Sequence, residues 1–241
     1  MNRRQFFRSV AGFSLLSLLN VQKLFPEVEN QKLIPTYSGK NNISPLKFEP
    51  KNMIGISERM ILSHYNNNYS GAVKRLNQIE ERLREFILKP DFKPFELGAL
   101  KREEFIATNS MILHELYFDN LGGKRTDSLE NSALKKGIES SFGSFELWKK
   151  EFKNIALSLA GGSGWVVLYY NYRTRQIGNF WCQDHTFGLV NATPILVLDM
   201  YEHSYHIDFG ANAKEYIEVF FQNIRWDIVE ERFRNCISRN T

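Results

Sequence analysis

Hydrophobic positions recur with a helical period over the first long patterned stretch of the chain. Ser57-Glu58 opens it as a helix start, and Met60, Ile61, Tyr65, Val73, Leu76, Ile79 and Leu83 follow at near-helical spacing through about residue 87. The spacing predicts one long helix with a bend at Gly71. Pro90 and Pro94 mark a turn, after which a second helix is expected from about Lys101 to Asn120, closed by Gly122-Gly123. Together they predict an antiparallel helical hairpin.

Past the glycine pair the pattern changes. Two short helical stretches, about 128–140 and 144–159, lead into Gly161-Gly162-Ser163-Gly164. The β-rich runs Trp165–Tyr170 and Ile177–Cys182 flank the turn-like Tyr172-Arg173-Thr174-Arg175, which predicts a hairpin, and Pro194–Leu198 supplies a third strand. Two helices, near 213–223 and 226–237, follow. The expected fold class is α+β: an N-terminal antiparallel helical hairpin packed on a C-terminal domain with a three-stranded antiparallel sheet and helices. The expected divisions are a leader and linker over 1–45, the hairpin over 46–125 and an α/β domain over 126–241, which also holds the candidate metal ligands Asp199 and His203.

Charge alters this picture only at the N-terminus. Residues 1–45 hold six Lys/Arg against Glu27 and Glu29, which accounts for the whole formal charge of +4. The rest is balanced, which argues against nucleic acid as a partner, since phosphate binding needs a clustered basic face. Arg3-Arg4, Phe6-Phe7 and the apolar run Val10–Leu19 resemble a twin-arginine export signal, and the run is too short for a stable membrane span. Export to the periplasm is the expectation, with an uncleaved amphipathic anchor as the plainer alternative. Scattered Pro and Asn over 20–50 read as a linker. Cys182 and Cys236 are too few for a disulfide framework and read as small apolar fillers, although one bridge is open to them.

Candidate chemistry centres on histidine. Asp199 lies four residues before His203 at the end of an apolar strand run, so the two can converge on one metal ion. His64 and His114 sit among apolar and aromatic neighbours on the two long helices. Taken singly, such residues are more often hydrogen-bonded core histidines, and Asp and His four apart are commonplace. His185 follows Gln183-Asp184 and reads as a surface residue or a neighbour of the site rather than a ligand.

The order of these pieces resembles the iron/manganese superoxide dismutases over roughly residues 50–237. Asp199-Met200-Tyr201-Glu202-His203-Ser204-Tyr205 resembles the family's Asp-x-Trp-Glu-His-Ala-Tyr signature. Tyr216-Ile217 and Asn223-Ile224-Arg225-Trp226-Asp227 are similar to its Tyr-Ile and Asn-Trp-Asp segments. Ile56-Ser57 before His64-Tyr65 and Leu76-Asn77 looks like the first ligand helix, and His114 with Asn120-Leu121 looks like the second. Gly162-Ser163-Gly164-Trp165 and Gln183-Asp184 match the sheet region.

The resemblance implies a metal held by His64, His114, Asp199 and His203 with one bound solvent, acting on superoxide to give dioxygen and hydrogen peroxide. It implies that Gln183 hydrogen-bonds that solvent, as in manganese-type members. Iron-type members often place the glutamine where this chain has Ser110, so manganese is favoured over iron. Glu202 is similar to the glutamate that reaches the partner subunit's ligand histidine, which implies a homodimer. The chain departs from the family at the substrate channel, where Ala72 stands for a gateway tyrosine and Asn68 for a histidine, and at Phe118 and Tyr201, each in place of a tryptophan. His206 stands for the tyrosine that pairs with that channel histidine across the dimer, so Asn68 and His206 form a candidate matched pair. A non-catalytic, metal-binding member of the family is the alternative function.

Overall fold

Ser57 begins the first helix through its side chain, whose Oγ accepts from the Met60 N–H at 3.1 Å. In this computed structural model, which describes residues 34–122 and 129–239, that helix is α1, Glu58–Ser63. The leader's arginines and apolar run lie outside the described residues, as does Gly123. The chain divides into residues 1–36 and a unit over 37–241, which contains α1 and every element after it.

α1 runs into a wider π-helical turn, His64–Tyr69, and on into α2, Ser70–Ile87. The irregularity therefore lies just before the expected bend at Gly71, and it contains His64. α3, Pro94–Asp119, begins earlier than Lys101. Pro94 read as a turn residue; it occupies the start of the helix, where its missing N–H has no intrahelical partner to lose, and Lys93 before it is extended. α2 and α3 pack on each other as the helical hairpin.

Three strands follow two short helices, α4 (Ala133–Phe142) and α5 (Phe145–Ser158), whose N-termini are capped by Ser132 and Ser144. β1 (Trp165–Asn171), β2 (Gln176–Cys182) and β3 (Ala192–Asp199) form an antiparallel sheet in the order β2-β1-β3. As the middle strand, β1 buries five of its seven residues, consistent with its nearly unbroken apolar run. Trp165 pairs with Cys182 on one side and Asp199 on the other, so the ends of all three strands meet at one place. Gly164 makes this possible: at φ +142° its backbone carries no Cβ, which would sit 2.5 Å from the Cys182 carbonyl. A short helix the hydrophobic pattern does not predict, α6 (His206–Phe209), precedes α7 (Ala213–Gln222) and α8 (Trp226–Ser238).

Asn120 joins the hairpin to the sheet. It is fully buried, and its Nδ2 donates to Tyr117 O and Val197 O while its Oδ1 accepts from the Val197 N–H. Residues 37–45, read from the sequence as the end of a linker, are tied to α2: Gly39 N and Asn41 Nδ2 donate to Glu80, and Asn41 N donates to Asn77 Oδ1. Cys182 and Cys236 are both buried as thiols. Among the described residues no helix is long and apolar enough to cross a membrane.

Candidate metal centre

Each element presents its histidine or carboxylate to one point. The π turn carries His64, α3 carries His114, β3 ends on Asp199, and the following 3-10 turn Glu202–Ser204 carries His203. Asp199 is fully buried, His64 and His114 nearly so, and the His203 side chain is 27% exposed, which makes it the ligand candidate nearest solvent. Asp199 Oδ2 lies 3.1 Å from His64 Nε2, 3.3 Å from His203 Nε2 and 3.7 Å from His114 Nε2. One donor atom from each of the four lies within 4.8 Å of the others, the single such grouping among the described residues.

These donors fit a metal ion. Atoms bound at about 2.1 Å to one centre stand roughly 3.0–3.6 Å apart at angles between 90° and 120°. The buried polar atoms without a hydrogen-bond partner concentrate here: His64 Nε2, His114 Nε2, Trp165 Nε1 and His185 Nε2 are four of five among the described residues. The fifth, Asp119 Oδ1, is 2.6 Å from Lys47 Nζ. Burial lowers the His64 pKa, and it lowers His114 to about 3, so both rings are neutral with lone pairs to offer. His114 Nδ1 donates to Ser110 O at 2.6 Å, which leaves Nε2 as the lone-pair nitrogen. Burial pushes the Asp199 carboxyl upward, but its attraction to His203 and the close approach of His203 Nε2 and His64 Nε2 outweigh that and hold it below the usual carboxylate range. A buried carboxylate beside the two neutral rings of His64 and His114 needs a cation.

Second contacts fix the carboxylate. Tyr201 N donates to Asp199 Oδ1 at 2.8 Å. Tyr216 Oη donates to Asp199 O at 3.0 Å and lies 3.1 Å from Tyr117 Oη. Burial raises both phenols, so the buried chain of hydroxyls stays protonated.

Gln183 falls elsewhere than expected. The residue is exposed, and its carbonyl accepts from Ser163 Oγ at 3.0 Å. β2 ends at Cys182, and Asp184 Oδ1 then accepts from Thr186 N and Oγ1, turning the chain so that His185 faces the site instead. The His185 ring centroid lies 6.3 Å from that of His114 and 5.6 Å from that of Trp165, and its Nδ1 is 2.8 Å from Tyr201 Oη. Sequence reasoning left this residue unassigned; the Asp184-x-Thr186 turn pattern was the signal that could have distinguished it from Gln183.

The remaining candidates are placed as follows. Asn68 is half-buried in the π turn and Ala72 is buried near the start of α2. Glu202 and His206 are exposed close to His203 in sequence. Phe118 packs against His64, with ring centroids 4.9 Å apart.

The sequence pattern of the iron/manganese superoxide dismutases' C-terminal domain matches residues 130–232. The chain is 52% identical over 195 residues to superoxide dismutase [Fe] of Cupriavidus metallidurans, covering 81% of this chain and 97% of that protein. It is 34% identical to superoxide dismutase [Fe] of Aquifex aeolicus, covering 83% and 94%. It is 32% identical to superoxide dismutase [Mn] 2 of Haloferax volcanii, covering 76% and 89%. Fold, donor set and similarity agree: the chain belongs to the iron/manganese superoxide dismutase family.

Proposed function

We propose that the chain is a superoxide dismutase, holding one iron or manganese ion through His64, His114 and His203 Nε2 and Asp199 Oδ2. The convergence of these four donors in a buried cluster carries the reading. The ion supplies the one-electron exchange by which two superoxides and two protons become dioxygen and hydrogen peroxide. The chain supplies the rest. Its single carboxylate leaves net positive charge at the centre, which attracts an anion, and the partial exposure of His203 marks the side of approach. His185, with its unpartnered Nε2, takes the hydrogen-bonding role expected of Gln183.

The expectation of manganese rested on Gln183, which is exposed. We propose iron as the resident metal, because the relatives at 52% and 34% identity are iron enzymes by name. Metal analysis of the purified chain, with dismutase assays after loading with iron or manganese, tests this. About one ion per chain and activity with iron is the expected result; His203→Ala should lower both. Activity with manganese alone would reverse the metal assignment, and a metal-free, inactive protein would remove the reading.

Three finer points are also proposals. Ala72 offers no hydroxyl at the channel, so Ala72→Tyr should change the proton-limited phase of turnover, and an unchanged phase would count against a proton-delivery role. Exposed Glu202 and His206 beside His203 support a two-fold homodimer across this face, with Asn68 and His206 as a bridge between subunits; sedimentation as a monomer at micromolar concentration would exclude it. Residues 1–45 support periplasmic export through a twin-arginine signal, and about a fifth of this chain lies outside its match to the Cupriavidus protein. Unchanged export of an Arg3→Lys/Arg4→Lys variant would sink that route.

A further inference from the structure

We propose that Tyr201 is a positioning residue whose hydroxyl holds His185 in the orientation and tautomer that present an N–H to the ligand cluster. This rests on the metal reading above. It joins two features that the sequence leaves separate, a tyrosine in place of the family tryptophan and a histidine with no assigned part.

Tyr201 Oη lies 2.8 Å from His185 Nδ1, and the two ring centroids are 4.9 Å apart. A phenol is protonated at neutral pH and can donate this hydrogen bond. A neutral imidazole that accepts at Nδ1 carries its proton on Nε2. That Nε2 is the atom left buried and without a partner, on a ring packed between Trp165 and His114. With the phenol as donor, this hydrogen bond selects the tautomer whose Nε2–H is free for a ligand in the site.

The backbone of His185 is held independently. Asn109 Nδ2 donates to His185 O at 2.7 Å, and the Asp184–Thr186 turn fixes the residues on either side. Rotation of the ring is the freedom that remains, and Tyr201 Oη restrains it. Tyr201 is itself fixed, since its N–H donates to Asp199 Oδ1 and its ring stacks on His203 with centroids 5.2 Å apart and planes 20° from parallel. One side chain thus couples the orientation of His185 to two of the four donors. Phenylalanine would keep the packing and lose the donor. Tryptophan would keep an N–H, but at the edge of the ring instead of its tip.

Azide binding to the iron-loaded protein in its ferric form, followed by the optical spectrum, reads the N–H directly, because a donor beside the ion stabilises a bound anion. Tyr201→Phe should weaken azide binding by about tenfold, the scale typical of partners that orient groups around a metal, with iron still near one per chain. His185→Ala should weaken it at least as much, and adding Tyr201→Phe to His185→Ala should change nothing further. Tyr201→Trp, which restores the residue type of the family signature, should behave as Tyr201→Phe and stands in for it if the smaller ring loosens the fold. An equal effect of Tyr201→Phe with and without His185, or none in either background, overturns the positioning role while leaving the metal reading intact. A wild-type protein that takes up neither iron nor manganese overturns both.

Discussion

The helical and sheet halves each bring two donors to the centre, but they hold them differently. His64 and His114 project from the sides of helices, are almost fully buried, and have their height fixed by helical register. Asp199 closes β3 opposite Trp165 and His203 lies just beyond it, where hydrogen bonds around the strand end add to or replace the sheet register. Tyr201 and His185 are on this second side, while Asn68, Ala72 and Phe118, which also depart from the family pattern, are on the first. Departures from the family thus surround both pairs of donors, and the halves differ in how the donors are held: by helical turns on one side and by hydrogen bonds around a strand end on the other.

The largest effect should come from the charge that both halves share. Asp199→Asn keeps the shape of the side chain and removes the one negative charge among the four donors. We expect metal affinity to fall by about 100-fold or more, with activity lost, as measured by metal content and assay. Retained metal would mean that the three histidines suffice and that the sheet half contributes position alone. Next is the joint between the halves. Asn120→Ala leaves Val197 N and the carbonyls of Val197 and Tyr117 without a buried partner, and should cost about 2–4 kcal/mol in denaturant unfolding. A two-step transition in that variant would show that the halves can unfold separately.

The same contrast explains what could be read from the sequence. Helical periodicity placed His64 and His114 on two helices, and the Asp199-to-His203 spacing placed the other pair at a strand end, so the resemblance to the family had all four donors to rest on. Their surroundings were less legible. Gln183 and His185 are two apart, which in an extended chain puts them on one face, and the turn after Cys182 decides between them. Pro94 signals a turn as readily as a first helical position, so the start of α3 was misplaced. α6, Ala192 and Thr193 carry too little apolar pattern to declare their element.

Acid should act next in size, and first through the helical half. Burial holds His114 at about 3, against about 6.5 for a free histidine, and lowers His64 as well. Between those values the unfolded chain binds protons that the folded chain refuses, so stability is full above about pH 6.5 and falls as the pH drops toward 3. For metal-depleted protein, His114 alone should cost about 2 kcal/mol between pH 7 and pH 5, read from denaturant midpoints. Bound metal competes with the same protons, so retention should fail in the same direction. Stability independent of pH over this range would mean that these rings are not held neutral.

The smallest effect tests whether the helical half depends on its arm. Glu80 is a mostly buried carboxylate on α2 that accepts from Gly39 N at 2.7 Å and Asn41 Nδ2 at 2.9 Å. Glu80→Gln replaces an all-acceptor group with one whose NH2 must turn toward a donor, and should cost about 1 kcal/mol. Residues 37–45 should then become sensitive to limited proteolysis while metal content stays the same. That second expectation follows from helix register: the arm continues to Ser44, whose N–H donates to Tyr69 Oη, and Tyr69 stacks on His114, but Ser110 O and the helix itself already orient that ring. If Glu80→Gln loses metal, the order of dependence reverses. The arm, through Tyr69, would then be part of what holds His114, and the helical side of the centre would be as dependent on non-helical contacts as the sheet side.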